Sequence, residues 1–238
     1  MGVRMEIDVK DTRTKGTEVD WKNLFLYNEK LYNYYIAQYN NTHRNERKIE
    51  IPIIVDYIRK YPTESILEVG NVLSHYFANV THDIVDLNEE APNVLNEDIV
   101  KYAPNKKYDL IITISTLEHV GFEGNTGVYF LIRGYLEKAF TNLRNLLSDG
   151  GRLIFTVPLG YNPELDNLVL TEKLGIDEIY CMENNIIDDT WKQVSFKDIK
   201  GKPINNFIKN LINTEDKIII LRKTRYLIIG VINGSKRS

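Results

Sequence analysis

Apolar positions along the chain follow two regimes. From Trp21 to Tyr39, residues Leu24, Tyr27, Leu31, Tyr34, Tyr35 and Tyr39 recur at helical spacing, which predicts a helix. A second helical run has Ile53, Ile54, Tyr57, Ile58 and Tyr61 on one side, with Pro52 fitting its first turn and Pro62 ending it. Beyond Pro62 the pattern alternates. Ser65–Val69, Asp83–Asp86, Val94–Ile99, Tyr108–Ser115 and Gly151–Val157 read as strands. Leu73–Val80 reads as a short helix and Thr126–Leu147 as the best helix of the chain, with Gly150 placed as its C-terminal cap. Tyr108–Ser115 is β-branched and apolar throughout, as suits a strand covered on both faces.

Alternating strands and helices predict a mainly parallel sheet with helices on its faces. Asp86 and Asp98 are separated by about a dozen residues, the least a parallel crossover allows, so a loop or vestigial helix is expected there. After Pro158 the pattern changes. Tyr161, Tyr180 and Trp191 are scattered among polar residues, Pro203–Asn213 resembles a helix, and Tyr226–Asn233 closes the chain as a strand. The expected division is 1–62, an N-terminal helical extension whose first twenty residues or so are loosely ordered, and 63–238, the α/β domain.

Composition narrows the function classes. The chain has 238 residues, 43 % hydrophobic and 26 % charged, with a net charge of −3. That is an ordinary soluble composition without a basic field for nucleic acid. The single cysteine, Cys181, excludes an intrachain disulfide and a four-cysteine zinc site. No apolar leader opens the sequence, and its longest apolar stretch is split by Arg222, Lys223 and Arg225, so a cytoplasmic protein without membrane insertion is expected. His43, His75 and His82 lack metal-ligand spacing, and no metal is expected.

Ligands of open parallel sheets bind beyond the carboxyl ends of the strands. Those ends carry Glu68, Gly70 and Asn71; then Asp86; then Asp98 and Ile99; then Ser115, Glu118 and His119. An acid some twenty residues past the first glycine turn is placed to accept ribose hydroxyls, and Gly70 to Asp86 is slightly shorter than that. His119, with an ordinary pKa near 6.5, suits proton abstraction at neutral pH. Arg44, Glu46 and Arg47 read as a solvated charge run or, alternatively, as holding an arginine for a carboxylate.

The order ILEVG, DIVDLN, NEDI, YDLIITISTLEHVG and LLSDGGRLIFTVP resembles the class I S-adenosylmethionine-dependent methyltransferases over residues 64–158, and LEHV and DGGRLIF are its most specific pieces. NER…EIP, EVGNVLSHY and STLEHVG look like a glycan-modifying branch. The resemblance implies a Rossmann-like, doubly wound, seven-stranded sheet, S-adenosyl-L-methionine as cofactor, and a small molecule or glycan as acceptor. Residue by residue, it implies that Glu68 and Gly70 open the cofactor turn, that Asp86 binds ribose, that Asp98 and Ile99 flank the adenine, and that Ser115 lies beside the methionine. Val72 and Ser74 stand where the family has further glycines, and a side-chain contact from Asn71 is expected instead.

O-methylation with His119 and Glu118 as catalytic residues is the expectation. A cofactor-holding subunit without turnover and a nucleotide-dependent oxidoreductase are the alternatives. A sheet that lacks an N/D-P-P-Y/F run after the strand at Tyr108 speaks against adenine methylation. The acceptor and the oligomeric state are not legible.

Overall fold

A computed structural model describes residues 23–123, 130–185, 187–202, 204, 212–214, 217–219 and 225–235. In chain order the elements are β1 (Leu24–Tyr27), β2 (Lys30–Asn33), α1 (Arg47–Lys60), β3 (Ile66–Val69), β4 (Asp83–Val85), β5 (Val94–Leu95), β6 (Tyr108–Ile114), β7 (Phe122–Glu123), β8 (Phe130–Leu131), α2 (Tyr135–Leu146), β9 (Leu147–Pro158), α3 (Pro163–Leu170), β10 (Glu178–Asn185), β11 (Thr190–Val194), α4 (Phe196–Ile199), β12 (Ile212–Thr214), β13 (Lys217–Ile219) and β14 (Tyr226–Asn233).

The main sheet runs β11-β10-β14-β9-β6-β3-β4-β5. Its parallel block is β5, β4, β3, β6 and β9. Strands β14, β10 and β11 follow antiparallel. The sheet is therefore doubly wound and mainly parallel, with eight strands rather than seven. The added strand is β11, which the Asp188–Asp189 turn folds back onto β10. Side chains alternate across β6: Ile111 enters one apolar core with α2 and α3, while Leu110 and Ile112 enter the other with α1 and the β1–β2 hairpin. The β4–β6 stretch has a loop and the two-residue β5 where a crossover helix was in doubt.

Residues 1–22 of the expected helical extension lie outside the described residues, and residues 24–33 of it are not helical. In place of a helix over Trp21–Tyr39, residues 24–33 form the β1–β2 hairpin, with Leu24 facing Asn33 and Tyr27 facing Lys30. Phe25 and Tyr27 of LFLY are buried in alternation with the more exposed Leu24 and Leu26, and Asn28 and Glu29 adopt φ of 45° and 63° at the two-residue turn. The helical count had run across that turn.

Helix α1 begins five residues before Pro52, so the proline is interior. A proline there removes one donor and frees the carbonyl four residues back. That carbonyl, of Lys48, accepts the Tyr35 N–H at 2.8 Å. The defect is thus repaired by the chain leaving the hairpin.

Three other elements differ from expectation. Leu73–Val80 is only a 3₁₀ turn at Leu73–His75. The strand at Val94 ends at Leu95, because the Asp98 carboxylate and carbonyl organise the next turn through Val100, Lys101 and Tyr102. The helix of Thr126–Leu147 starts only at Tyr135, after Gly134 at φ 75°, while Leu131 pairs with Phe122 in a small hairpin. Thr126 and Val128 lie outside the described residues. Gly150 is not the cap; α2 ends on extended Leu147, and Gly150 sits in the bulged start of β9. Of the helix at Pro203–Asn213, most lies outside the described residues, and Ile212–Asn213 belong to β12. Among the described residues no helix is long and apolar enough to cross a membrane.

Gly230 in β14 pairs with Phe155 in β9, and a Cβ there would lie 2.2 Å from the Phe155 Cζ. Gly230→Ala should lower stability by about 1–3 kcal/mol through overpacking. The urea midpoint should fall at unchanged slope, and Phe155→Leu should restore part of it. An unchanged midpoint would show that the ring moves aside without cost.

Candidate functional site

A cleft of about 870 Å³ opens at the carboxyl ends of β3, β4 and β6, where the chain order reverses. Gly70, Asn71, Asp86, Asp98, Ile99, Ser115 and His119 all line it. Seven of the residues singled out in the sequence therefore meet in one cavity, of a size usual for a small-molecule site. Glu68 and Glu118 lie behind its wall, fully buried.

Glu68 governs the first turn. Its Oε1 accepts the N–H groups of Val72 and Leu73 at 2.9 and 2.8 Å, and its Oε2 lies 2.7 Å from His82 Nε2. It thus occupies the place of an anion over the amides that follow the strand. Gly70 adopts φ 87°, donates to the Val85 carbonyl at 2.8 Å and touches Thr116; a Cβ would fall 2.2 Å from Thr116 Oγ1. Glycine is required here both for the backbone conformation and for the close approach of β3 to the end of β6.

At the end of β4, Asp86 accepts from the N–H groups of Asn88 and Glu89 on Oδ1, both at 2.8 Å, and from Asn71 N–H on Oδ2 at 3.1 Å. The Asn71 side chain accepts from Ser74 Oγ and donates to Glu89 Oε1 at 2.7 Å. Leu87, 60 % exposed, offers an apolar face to the same cleft. Across it, Asp98 accepts the Tyr135 hydroxyl beside buried Ile99.

The end of β6 is held from the N-terminal side. Ser115 has φ 41°, a conformation disfavoured outside glycine. Its hydroxyl donates to Glu50 Oε1 at 2.5 Å. Arg47 Nη1 donates to Glu50 Oε2 at 2.8 Å and to the Ile114 carbonyl at 2.9 Å. The charge run before α1 is therefore not wholly solvated: Arg47 lines the cleft, with a side chain only 13 % exposed. Glu50 was missed because an acid on an apolar helix face has no local signature. Its three-residue spacing from Arg47 was the available signal.

Burial pushes the Glu118 carboxyl well above the ordinary range, and its Oε2 has no partner among the described residues. Its Oε1 lies 3.8 Å from His119 Nε2. His119 is pushed below its ordinary value, first by desolvation against the cleft wall and then by the charge of Arg47, although its side chain is 70 % exposed. The aromatic residues noted after β9 do not line the cleft. Trp191 is buried, with its backbone N–H donating to the Tyr34 hydroxyl at 2.8 Å, and Tyr180 packs edge-on against Tyr27. Among the described residues no group of His, Cys, Asp and Glu could hold a metal ion.

The charges lining the cleft are those of Asp86, Glu89, Glu97 and Asp98 against Arg47 and Lys101. Such a lining favours a neutral or cationic ligand with hydroxyl and amino donors and repels a diphosphate.

No family model matches the chain, and no curated protein sequence does. Among solved structures it is similar to the N-methyltransferase NodS from Bradyrhizobium japonicum WM9 at 12 % identity, over 80 % of this chain and 97 % of that one, with a TM-score of 0.42. It is similar to a putative methyltransferase from Bacillus halodurans C-125 at 11 % identity, over 79 % and 100 %, with a TM-score of 0.45. It is also similar to an S-adenosylmethionine-dependent methyltransferase from Clostridium acetobutylicum ATCC 824 at 17 % identity, over 78 % and 91 %, with a TM-score of 0.40. Likenesses this distant say nothing of chemistry in the cleft, which is read from its own residues.

Beside the end of β9, Asp166 accepts the Gly160 N–H, yet burial outweighs that bond and pushes its carboxyl up to about 6. Folding therefore favours the protonated acid. Its contribution is full below the ordinary value near 4 and is lost as pH rises through about 6. Asp166→Asn should stabilise the protein at pH 7 by about 1–3 kcal/mol. In pH-resolved denaturation that gain should vanish below pH ~4. A gain independent of pH would assign it to another cause.

Proposed function

We propose that the protein is an S-adenosylmethionine-dependent methyltransferase that acts on a hydroxyl of a small molecule or glycan. The observation that carries this reading is Glu68, whose carboxylate fills the amide turn after β3. A dinucleotide needs those amides for its pyrophosphate. With the turn occupied by an anion and four carboxylates along the cleft, a nucleotide-dependent oxidoreductase is disfavoured, and a nucleoside bearing a sulfonium is favoured.

The residues fit such a group. Asp86 would accept a ribose hydroxyl on the lone pair of Oδ2 that Asn71 leaves open. Asp98 and Ile99 would meet the adenine, with the exposed side chain of Leu87 to cover it. Ser115 and Asn71 would border the amino-acid end. Arg47 has Nη1 engaged, and its remaining N–H groups have no partner among the described residues, so they suit a carboxylate. When bound, the cofactor supplies an activated methyl group. The chain would align the acceptor with it and remove a proton.

His119 is suited to that removal. An imidazole held below 6.5 is unprotonated at neutral pH and free to accept the hydroxyl proton. Glu118 stands behind it, with Oε1 3.8 Å from the Nε2 of the imidazole that would gain charge.

Four results follow from this reading. Calorimetry should give micromolar binding of S-adenosylhomocysteine, about −8 kcal/mol, and none of NAD. Asp86→Ala should weaken it by about 1.5–3 kcal/mol. In a transfer assay with hydroxyl acceptors read by product mass, His119→Ala should cut turnover by about 10²–10⁴-fold at unchanged cofactor affinity. The parent's activity should persist below pH 6.5 and fall only beneath the lowered imidazole value. Tight binding without transfer to any acceptor would favour a cofactor-holding subunit instead.

A further inference from the structure

Two carboxylates, not one, stand at the end of β4, and their bonding differs. Asp86 is committed to three backbone N–H groups, those of Asn71, Asn88 and Glu89. Glu89 is held by a single oxygen. Its Oε1 accepts from Asn71 Nδ2 at 2.7 Å and lies 2.8 Å from His75 Nε2, too bent for a hydrogen bond but close enough for an ion pair when the ring is protonated. No described residue donates to Oε2, and the side chain, 35 % exposed, lines the cleft. His75 is itself fixed, its ring stacked on Tyr39 at 4.4 Å.

We propose that Glu89 is a cofactor-binding residue that shares the ribose diol with Asp86, and that His75 positions it. The assignment rests on the methyltransferase reading and adds to it a ligand outside the strand-end pattern. A carboxylate oxygen accepts two hydrogen bonds, so Asp86 Oδ2 has one lone pair left beside Asn71 N–H, whereas Glu89 Oε2 has both. A vicinal diol presents two donors side by side, and the neighbouring carboxylates can each take one. The turn at 70–75 has Val72 and Ser74 where closer backbone approach would need glycine. Asn71, tied to Glu89, closes the same gap with side chains and sets the carboxylate against the ribose.

Calorimetry on the full chain with S-adenosylhomocysteine, adenosine, 2′-deoxyadenosine and 3′-deoxyadenosine tests this. Glu89→Gln should weaken S-adenosylhomocysteine and adenosine by about tenfold or more, as for a hydrogen bond to a charged group. It should leave unchanged the affinity for whichever deoxynucleoside lacks the hydroxyl it binds. His75→Phe, which keeps a ring for Tyr39, should cause a smaller loss, about two- to fivefold, with the same dependence on that hydroxyl. Equal adenosine affinity in Glu89→Gln and parent overturns the assignment. So does an equal loss for all three nucleosides, which would leave Glu89 a brace for Asn71 only. Unchanged affinity in His75→Phe overturns the positioning role. A parent that binds adenosine but not S-adenosylhomocysteine overturns the methyltransferase reading, and the nucleosides still decide Glu89. A parent that binds neither overturns both.

Discussion

The ion pair between Arg47 and Glu50 is the interaction on which the cleft depends. Glu50 has no solvent exposure, and both its oxygens are used, one by the arginine and one by Ser115. Breaking a buried pair by removing one partner typically costs about 3–5 kcal/mol. Here the loss would also release the end of β6, because Arg47 holds the Ile114 carbonyl and Glu50 holds Ser115 in its left-handed conformation. Thr116, against which Gly70 packs, follows directly. The N-terminal part of the chain thus determines where the wall of the site stands.

Charge decides what that site can accept. Glu68 neutralises the amides that a phosphate would seek, and the carboxylates of Asp86, Glu89, Glu97 and Asp98 turn toward donors. A cleft so arranged selects by sign as much as by shape. Its two sides also differ in wetness: His119 is open to solvent, and Glu118 just behind it is sealed. In the proposed reaction the proton of the acceptor would pass to an imidazole open to solvent, and the resulting charge would face a carboxyl that water does not screen.

Much of this was legible from strand ends. DIVD, YDLIITIS and YLIIGVIN are buried β-branched runs, and each forms the strand expected. Gly70, Asn71, Asp86, Asp98, Ile99, Ser115 and His119 fall together because topology alone brings the ends of parallel strands to one side. The failures have a different physics. LFLYNEKLYN carries apolar residues at helical spacing, and two residues with positive φ turn it into a hairpin instead. Thr126–Leu147 is apolar at helical spacing, but Gly134 begins the helix late. Arg47, Glu50 and Glu89 act through partners far away in sequence or on another turn, and no local pattern marks a residue whose role depends on such a partner.

Pro52 leads to a consequence for how the molecule is assembled. Pro52 cannot give the Lys48 carbonyl its usual helical donor, and Tyr35 supplies one from beyond the hairpin. An unpaired buried carbonyl costs about 1–3 kcal/mol. The hairpin and the helix also bury Phe25, Tyr27, Ile53 and Ile54 in the same apolar layer as Ile112 and Ile229 of the sheet. Residues 23–60 are accordingly not cargo carried by an independent core. A shortened chain starting at α1 would lose the Tyr35 donor to Lys48, the hairpin that covers one sheet face and the Tyr39 ring beside His75. A change in the hairpin is therefore passed to the cleft through the helix that carries Arg47 and Glu50.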